Sequence, residues 1–367
     1  MKNRIYFTIA TLALTGFSPL SEAAPKPGGP SKSGGNGSYS GLIEGNSFET
    51  AGFINITVSG KGAVTISYTI GGQRATLRGA IDATSSLFVV KSGDANPANL
   101  VFSVVSETGT VTQAHGTLTV NDVVIPFSAP LLPHGSSRAG FPAAGKFTAV
   151  LDGVLEAGSV ETTAGIARLH VLPHGKLKID PVMADGSVLP LMTQIASDGS
   201  VRFWRPIGKT GALTGTLQFA AQESEGGELS GSLQWFKPAS KSRYHAEAFN
   251  ALLTVEGSSY DHKAPLLDFS ASSKVGVFSV ELEELAAPYV TEGTLADGKK
   301  PTFAGNENVK VNFNRGVGLI NGSLSEDGLG KFTLLGVVLQ KQNVARGLVF
   351  GDSGTGRFEL AEKILAP

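Results

Sequence analysis

Short stretches in which Val, Ile, Thr and Phe alternate with polar residues recur along this chain about every 8–12 residues, as in Phe53 to Val58, Ala63 to Ile70, Leu100 to Val105 and Thr117 to Val124. Alternation of period 2 is the pattern of a half-buried strand, because successive side chains leave a strand on opposite faces. Strands this short and closely spaced lead to a sandwich or barrel, with no room for crossover helices. Glycine fits the same reading: 47 of 367 residues are Gly, roughly twice the usual share of ~7%. Five Asp-Gly dipeptides (Asp152-Gly153, Asp185-Gly186, Asp198-Gly199, Asp297-Gly298 and Asp327-Gly328) are compatible with the positive φ that type I′ hairpin turns require. The best helical pattern, Val280 to Ala287, runs straight into Pro288. The expectation is an all-β chain of tandem antiparallel β-barrel or β-sandwich modules, with at most one short helix.

The chain also repeats itself. Ala51-Gly52-Phe53 aligns with Ala164-Gly165-Ile166, and Ser59-Gly60-Lys61-Gly62 with Leu172-Pro173-His174-Gly175, both at an offset of 113 residues. Gly71-Gly72 meets Asp185-Gly186 at 114, and Gly116-Thr117-Leu118 meets Gly231-Ser232-Leu233 at 115, a drift that small loop insertions explain. Gly37-Ser38-Tyr39 and Gly145-Lys146-Phe147 match as starts. Two homologous modules over 38–144 and 145–256 are therefore expected, followed by a C-terminal β region over 257–367. That last region is either a diverged third unit or a set of strands that completes the second.

Ahead of the modules, Met1-Lys2-Asn3-Arg4 is basic, Ile5 to Phe17 is apolar, and Ser21-Glu22-Ala23 offers small residues at −3 and −1. This is a secretory signal pattern, expected over 1–23; the apolar run falls short of the ~20 residues that a membrane span needs. Residues 24–37 follow as a Pro/Gly/Ser linker with nothing apolar to bury. The chain has no Cys, which excludes disulfides, thiolate chemistry and Cys-based zinc sites. Lys plus Arg total 30 against 31 Asp plus Glu, so no overall field gathers nucleic acid.

Three segments carry a resemblance: Gly231-Ser-Leu-Gln-Trp235-Phe-Lys-Pro238, Gly257-Ser-Ser-Tyr260, and Gly336-Val-Val-Leu-Gln-Lys-Gln-Asn343 followed by Gly347, Phe350-Gly351, Gly354 and Leu360. Together they resemble the Gly-rich β repeats near the ends of large exported proteins of Verrucomicrobia-type bacteria. The resemblance spans roughly 37–362 and implies location and architecture only.

Candidate chemistry is sparse. Gly351-Asp352-Ser353-Gly354 matches the short signature around a trypsin-like serine nucleophile, but only 13 residues follow Gly354, too few for the strands that such a barrel still needs. Ser353 is expected in a turn between the last two strands. His170 and His174 would share one face of an unbroken strand, but Pro173 interrupts it and no third ligand accompanies them. The Asp-Gly loops offer one carboxylate each where calcium takes six to eight oxygens. Both tryptophans lie in runs that mix aromatic and basic residues, Arg202-Phe-Trp204-Arg-Pro206 and Gln234-Trp235-Phe-Lys237-Pro238. Exposed, such faces stack on sugar rings; buried, they are core. The ligand-binding expectation therefore rests on Arg202, Trp204, Trp235 and Lys237, with no catalytic residue, metal or cofactor. The function expected is that of an exported, non-catalytic structural or adhesive protein in the periplasm, at the cell surface or outside the cell. Its expected partner is a cell-surface glycan or another envelope protein, with neither nucleic acid nor transmembrane insertion. The alternative is a secreted hydrolase whose site is assembled from residues distant in sequence, for which a deep pocket with converging His and carboxylate groups would be the sign.

Overall fold

The computed structural model describes residues 36–80, 87–91, 98–106, 111–120, 123–133, 143–155, 160–220, 228–269, 274–295, 300–303 and 308–363. They form three antiparallel sheets and, among the described residues, no helix. The first sheet comprises β1 (Gly37–Ile43), β2 (Gly52–Val58), β3 (Ala63–Ile70), β4 (Gln73–Ala80), β5 (Leu87–Lys91), β6 (Ala98–Ser106), β7 (Val111–Val120) and β8 (Val123–Pro130). The second comprises β9 (Gly145–Gly153), β10 (Thr162–Val171), β11 (Lys176–Met183), β12 (Leu191–Gln194), β13 (Ser200–Ile207), β14 (Gly211–Phe219), β15 (Leu229–Lys237) and β16 (Phe249–Ser259). The third comprises β17 (Val275–Glu281), β18 (Tyr289–Thr294), β19 (Val309–Asn314), β20 (Leu319–Glu326), β21 (Gly330–Leu339), β22 (Val344–Phe350) and β23 (Thr355–Glu362).

Each sheet is an up-and-down meander whose last strand pairs with its first: β8 with β1, β16 with β9, β23 with β17. That pairing rolls the sheet on itself and leaves one seam, between β4 and β5, β12 and β13, or β18 and β19. The C-terminal strands thus form a sheet of their own, since β16 already closes the second.

Matching sequence becomes matching register in the first two sheets. Tyr39 faces Ile56 across β1 and β2, and Phe147 faces Leu169 across β9 and β10. Gly116 faces Phe127, which faces Ile43; Gly231 faces Val255, which faces Leu151. Phe53 and Ile166 follow inward-facing Gly52 and Gly165, so both side chains point away from the interior. The turns repeat as well. Gly62 N–H donates to Ser59 O and Gly175 N–H to Leu172 O, each at 2.9 Å, with both glycines at positive φ.

Two sequence expectations change. Gly186, Gly199 and Gly328 do take positive φ, but their Asp neighbours do not, so these are type I turns closed by a left-handed glycine and not type I′ turns. Asp152-Gly153 lies inside β9, and Asp297-Gly298 falls outside the described residues. Val280 and Glu281 finish β17 and the chain then turns through 282–287, because Val280 is needed in the third core. As Pro173 leads one to expect, β10 ends at Val171 and His174 sits in the following turn, away from the strand that carries His170.

The second sheet's interior is filled by Phe147, Leu151, Leu169, Ile179, Phe203, Leu217, Leu233 and Trp235, and the void among its side chains is about 20 Å³. That is room for about one water and none for a ligand. Val337, Leu339, Val344 and Leu348 of the third sheet belong to the same buried cluster. The outer faces of β21 and β22 lie on those of β9, β10 and β16, and Thr148 Oγ donates across the joint to Val338 O at 2.6 Å. A smaller aromatic joint links the first sheet to the second: Phe48, in the β1–β2 loop, packs on Ala212, Phe236 and Trp204.

Candidate functional site

Connecting segments of the second and third sheets line a cleft of about 800 Å³. Leu155, Val160 and Glu161 of the β9–β10 connection line it together with Leu282, Leu285 and Pro288, which follow β17. Tyr244 and His245 of the β15–β16 loop and the Ser353–Arg357 segment close its end. The lining therefore mixes an aliphatic floor with polar edges, as ligand sites do.

A polar chamber of about 300 Å³ shares Glu161, Glu281 and Arg357 with this cleft. Its charges are set by strand pairing. Glu281 and Arg357 are directly opposite on β17 and β23, with Arg357 Nη2 2.8 Å and Nε 2.9 Å from Glu281 Oε2. Arg346 and Glu359 are opposite on β22 and β23; Arg346 donates to Glu359 at 2.8 Å and across the joint to Glu256 at 2.9 Å. Burial alone would lower the Arg346 pKa, but the hydrogen bond and charge of Glu359, with Glu256 and Asp152, hold it above the ordinary guanidinium value. Asp152 points outward from β9 into the chamber and accepts Thr163 Oγ at 2.8 Å. Burial pushes its carboxyl above the usual range, against the pull of Thr163 and Arg346.

The Gly351–Gly354 turn is tied from both sheets. From the second sheet, Arg243 donates to Asp352 O and Oδ1, both at 2.9 Å, Tyr244 Oη donates to Gly351 O at 2.9 Å, and His245 Nε2 lies 2.8 Å from Thr355 Oγ. From the third sheet, the Glu284 carboxylate accepts the backbone N–H of Asp352 (3.0 Å), Ser353 (2.6 Å) and Gly354 (2.7 Å), and Ser353 Oγ at 2.9 Å. Burial opposes ionisation of Glu284, yet these N–H groups outweigh it and hold the carboxyl below its usual pKa. The turn does join β22 to β23, and Ser353 gives its single hydroxyl proton to a carboxylate where a nucleophile would give it to an imidazole.

The four residues singled out from the sequence do not form one patch. Trp204 leaves β13 on the outer face, opposite inward Phe203, and is half-buried with its ring 5.8 Å from Phe48 and 6.4 Å from Phe236. Arg202 shares that face and binds Ser200 Oγ at 2.7 Å. Trp235 is 0% exposed in the second core, edge-on to Phe249. Lys237, 3% exposed, points into the same interior and donates to Pro238 O, Ser240 Oγ and Glu247 O at 3.0–3.4 Å; burial lowers its pKa. The cleft residues gave no comparable signal, because its walls come from four segments far apart in the chain. The strongest clue was Gly351-Asp-Ser-Gly354, read as a turn without its carboxylate.

No family profile matches this chain, and no curated protein matches it. Among solved structures it is similar to a protein of unknown function from the DUF3598 family of Nostoc punctiforme, at 8% identity over 61% of this chain and 97% of that one, with a TM-score of 0.22. It is also similar to a Bacteroides fragilis protein described as an outer membrane protein, at 12% identity over 60% and 97% of the two chains, with a TM-score of 0.20. A third likeness is to transferrin binding protein B of Haemophilus parasuis, at 9% identity over 90% and 76%, with a TM-score of 0.25. Likeness at this level carries no argument about what the cleft does.

Proposed function

We propose that this chain is an exported, non-catalytic binding protein of the bacterial envelope or extracellular space, and that a cell-surface glycan occupies the cleft between its second and third sheets. The carrying observation is the cleft itself: about 800 Å³, within the ~300–1,000 Å³ of ordinary ligand sites. A sugar presents an apolar C–H face and an edge of hydroxyls. The accessible Leu285 and Pro288 suit the first, and the fixed Glu281–Arg357 pair suits the second. Support for export comes from the basic, apolar, small-residue order of Met1 to Ala23. The Gly-rich segments that resemble repeats of exported bacterial proteins point the same way. Titration of the protein against a panel of envelope and capsular glycans tests the reading. At least one is expected to bind, and Arg357→Ala is expected to weaken it at least tenfold, about 1.4 kcal/mol. Absence of binding across the panel, or an Arg357→Ala variant that binds unchanged, would overturn it.

A second reading, a secreted hydrolase, rests on Asp152, a carboxyl pushed up by burial in a chamber that also holds Glu161. The same titration scored for new reducing ends decides between them. Cleavage that disappears in Asp152→Asn would establish the hydrolase.

A further inference from the structure

We propose that the Gly351–Gly354 turn is a carboxylate receptor of the cleft, filled by Glu284 of the same chain in the free protein, and that an acidic sugar displaces Glu284 from it. The proposal rests on the glycan reading above for the identity of the ligand, but not for the existence of the receptor. Three consecutive backbone N–H groups, of Asp352, Ser353 and Gly354, converge with Ser353 Oγ on one carboxylate within 3.0 Å. Successive N–H groups turned to one point make an anion nest, whose partial positive charge is fixed in the backbone. The absence of a side chain at Gly351 lets the carboxylate seat fully, since a Cβ there would lie 2.6 Å from Glu284 Oε1 and push it aside.

The donors are held from behind by groups other than Glu284. Arg243 grips Asp352 through its carbonyl and carboxylate, Tyr244 grips Gly351 O, and Gly351 N–H closes the turn onto Gly354 O at 2.9 Å. Arg243 also compensates the Asp352 charge. The receptor is therefore preorganised, and Ser353 and Gly354 line the cleft. The occupant's own segment is anchored by Leu282 in the third core and by the Leu285 N–H to Leu282 O bond at 3.0 Å, so release requires only the Glu284 side chain to swing away.

Exchange of one carboxylate for another conserves charge and donors, so concentration and additional contacts decide the winner. A tethered carboxylate competes at an effective concentration on the order of millimolar. A ligand must therefore gain from the rest of the cleft what Glu284 gains from its tether. Glu283 and the paired Glu281 face the same space, which restricts an acidic ligand to one carboxylate seated in the nest with its neutral part along the aliphatic floor.

Glu284→Ala empties the receptor, and acetate is the probe. In sodium chloride the variant is expected to melt below the unchanged chain; sodium acetate at matched ionic strength is expected to restore most of the lost Tm saturably, with the unchanged chain unmoved. Equal melting of the variant in the two salts overturns the receptor. Should Glu284→Ala fail to fold, Glu284→Gln, which keeps one acceptor oxygen, is expected to show a smaller rescue of the same kind, and no rescue there has the same overturning force. For the ligand, a glucuronate-bearing oligosaccharide is expected to bind Glu284→Ala at least tenfold tighter than the unchanged chain, its neutral counterpart equally to both. Equal affinity of the acidic sugar for both proteins overturns the displacement. Acetate rescue with no saccharide bound by either protein would remove the glycan reading and retain the receptor.

Discussion

Trp204 and Trp235 stand on strands two apart in the second sheet and have opposite fates because side-chain direction alternates along a strand. Trp235 faces the interior; Trp204 faces out and is met there by Phe48 from the first sheet. Neither indole N–H has a hydrogen-bond partner, so each ring contributes through apolar contact alone. Trp235→Ala is expected to destabilise by about 3–5 kcal/mol, the usual cost of a large core truncation. Trp204→Ala should cost less, about 1–3 kcal/mol, since the ring is only half-buried. Denaturant melts check both. A Trp204→Ala variant that keeps its stability but loses glycan binding would return that residue to the recognition role its sequence context suggests. Ser353 is the converse case. Its hydroxyl is one of four donors to Glu284 and the other three are backbone, so Ser353→Ala should cost no more than about 1 kcal/mol. No fluorophosphonate label is expected at Ser353, and labelling would establish the nucleophile that the geometry argues against.

At the scale of elements, Glu284 ties the turn after β22 to the segment after β17, and the tie titrates. Its folded pKa lies below the ordinary carboxyl value, so the stabilisation is present above the unfolded pKa, about 4.5, and is lost as pH falls through the folded one. The Tm of the unchanged chain should therefore exceed that of Glu284→Gln near neutrality and converge with it in acid. A gap that persists far below pH 4 would contradict this assignment. The strands themselves were legible where one face is buried: Phe53 to Val58 alternates in sequence and in burial. Leu334-Leu-Gly-Val-Val-Leu339 does not alternate, because β21 buries both faces, one in its own core and one against the second sheet. Such a run cannot reveal from sequence which face meets which partner. The cleft was illegible for the same reason. Glu281 and Arg357 are opposite only because β23 returns to pair with β17, a closure that no local pattern encodes.

Across the whole molecule the two joints between sheets differ in kind. The second and third sheets share one buried cluster, joined further by Thr148 to Val338 and by Arg346 to Glu256. The first sheet meets the second through the smaller set of Phe48, Ala51, Ala212, Phe236 and Trp204, with Ser197 N–H on Leu131 O at 3.0 Å and Gln194 Nε2 on Pro133 O at 3.1 Å. Cooperativity follows the amount of apolar surface that two units bury together, so the second and third sheets should unfold as one unit and the first should be separable. Phe48 is the residue to remove: it is 8% exposed, reaches across from a loop, and belongs to the aromatic joint and not to the first sheet's own core. Phe48→Ala should weaken docking by about 3 kcal/mol while leaving the interiors of all three sheets intact. Calorimetry is expected to show an earlier transition for the first sheet, split from the remainder. Trp204, stripped of its cover, should shift to longer-wavelength emission in that first transition, whereas Trp235 should report only the second. A variant that still melts in a single step, or whose tryptophan emission moves only in the later one, would mean that the first sheet is held by contacts other than this joint.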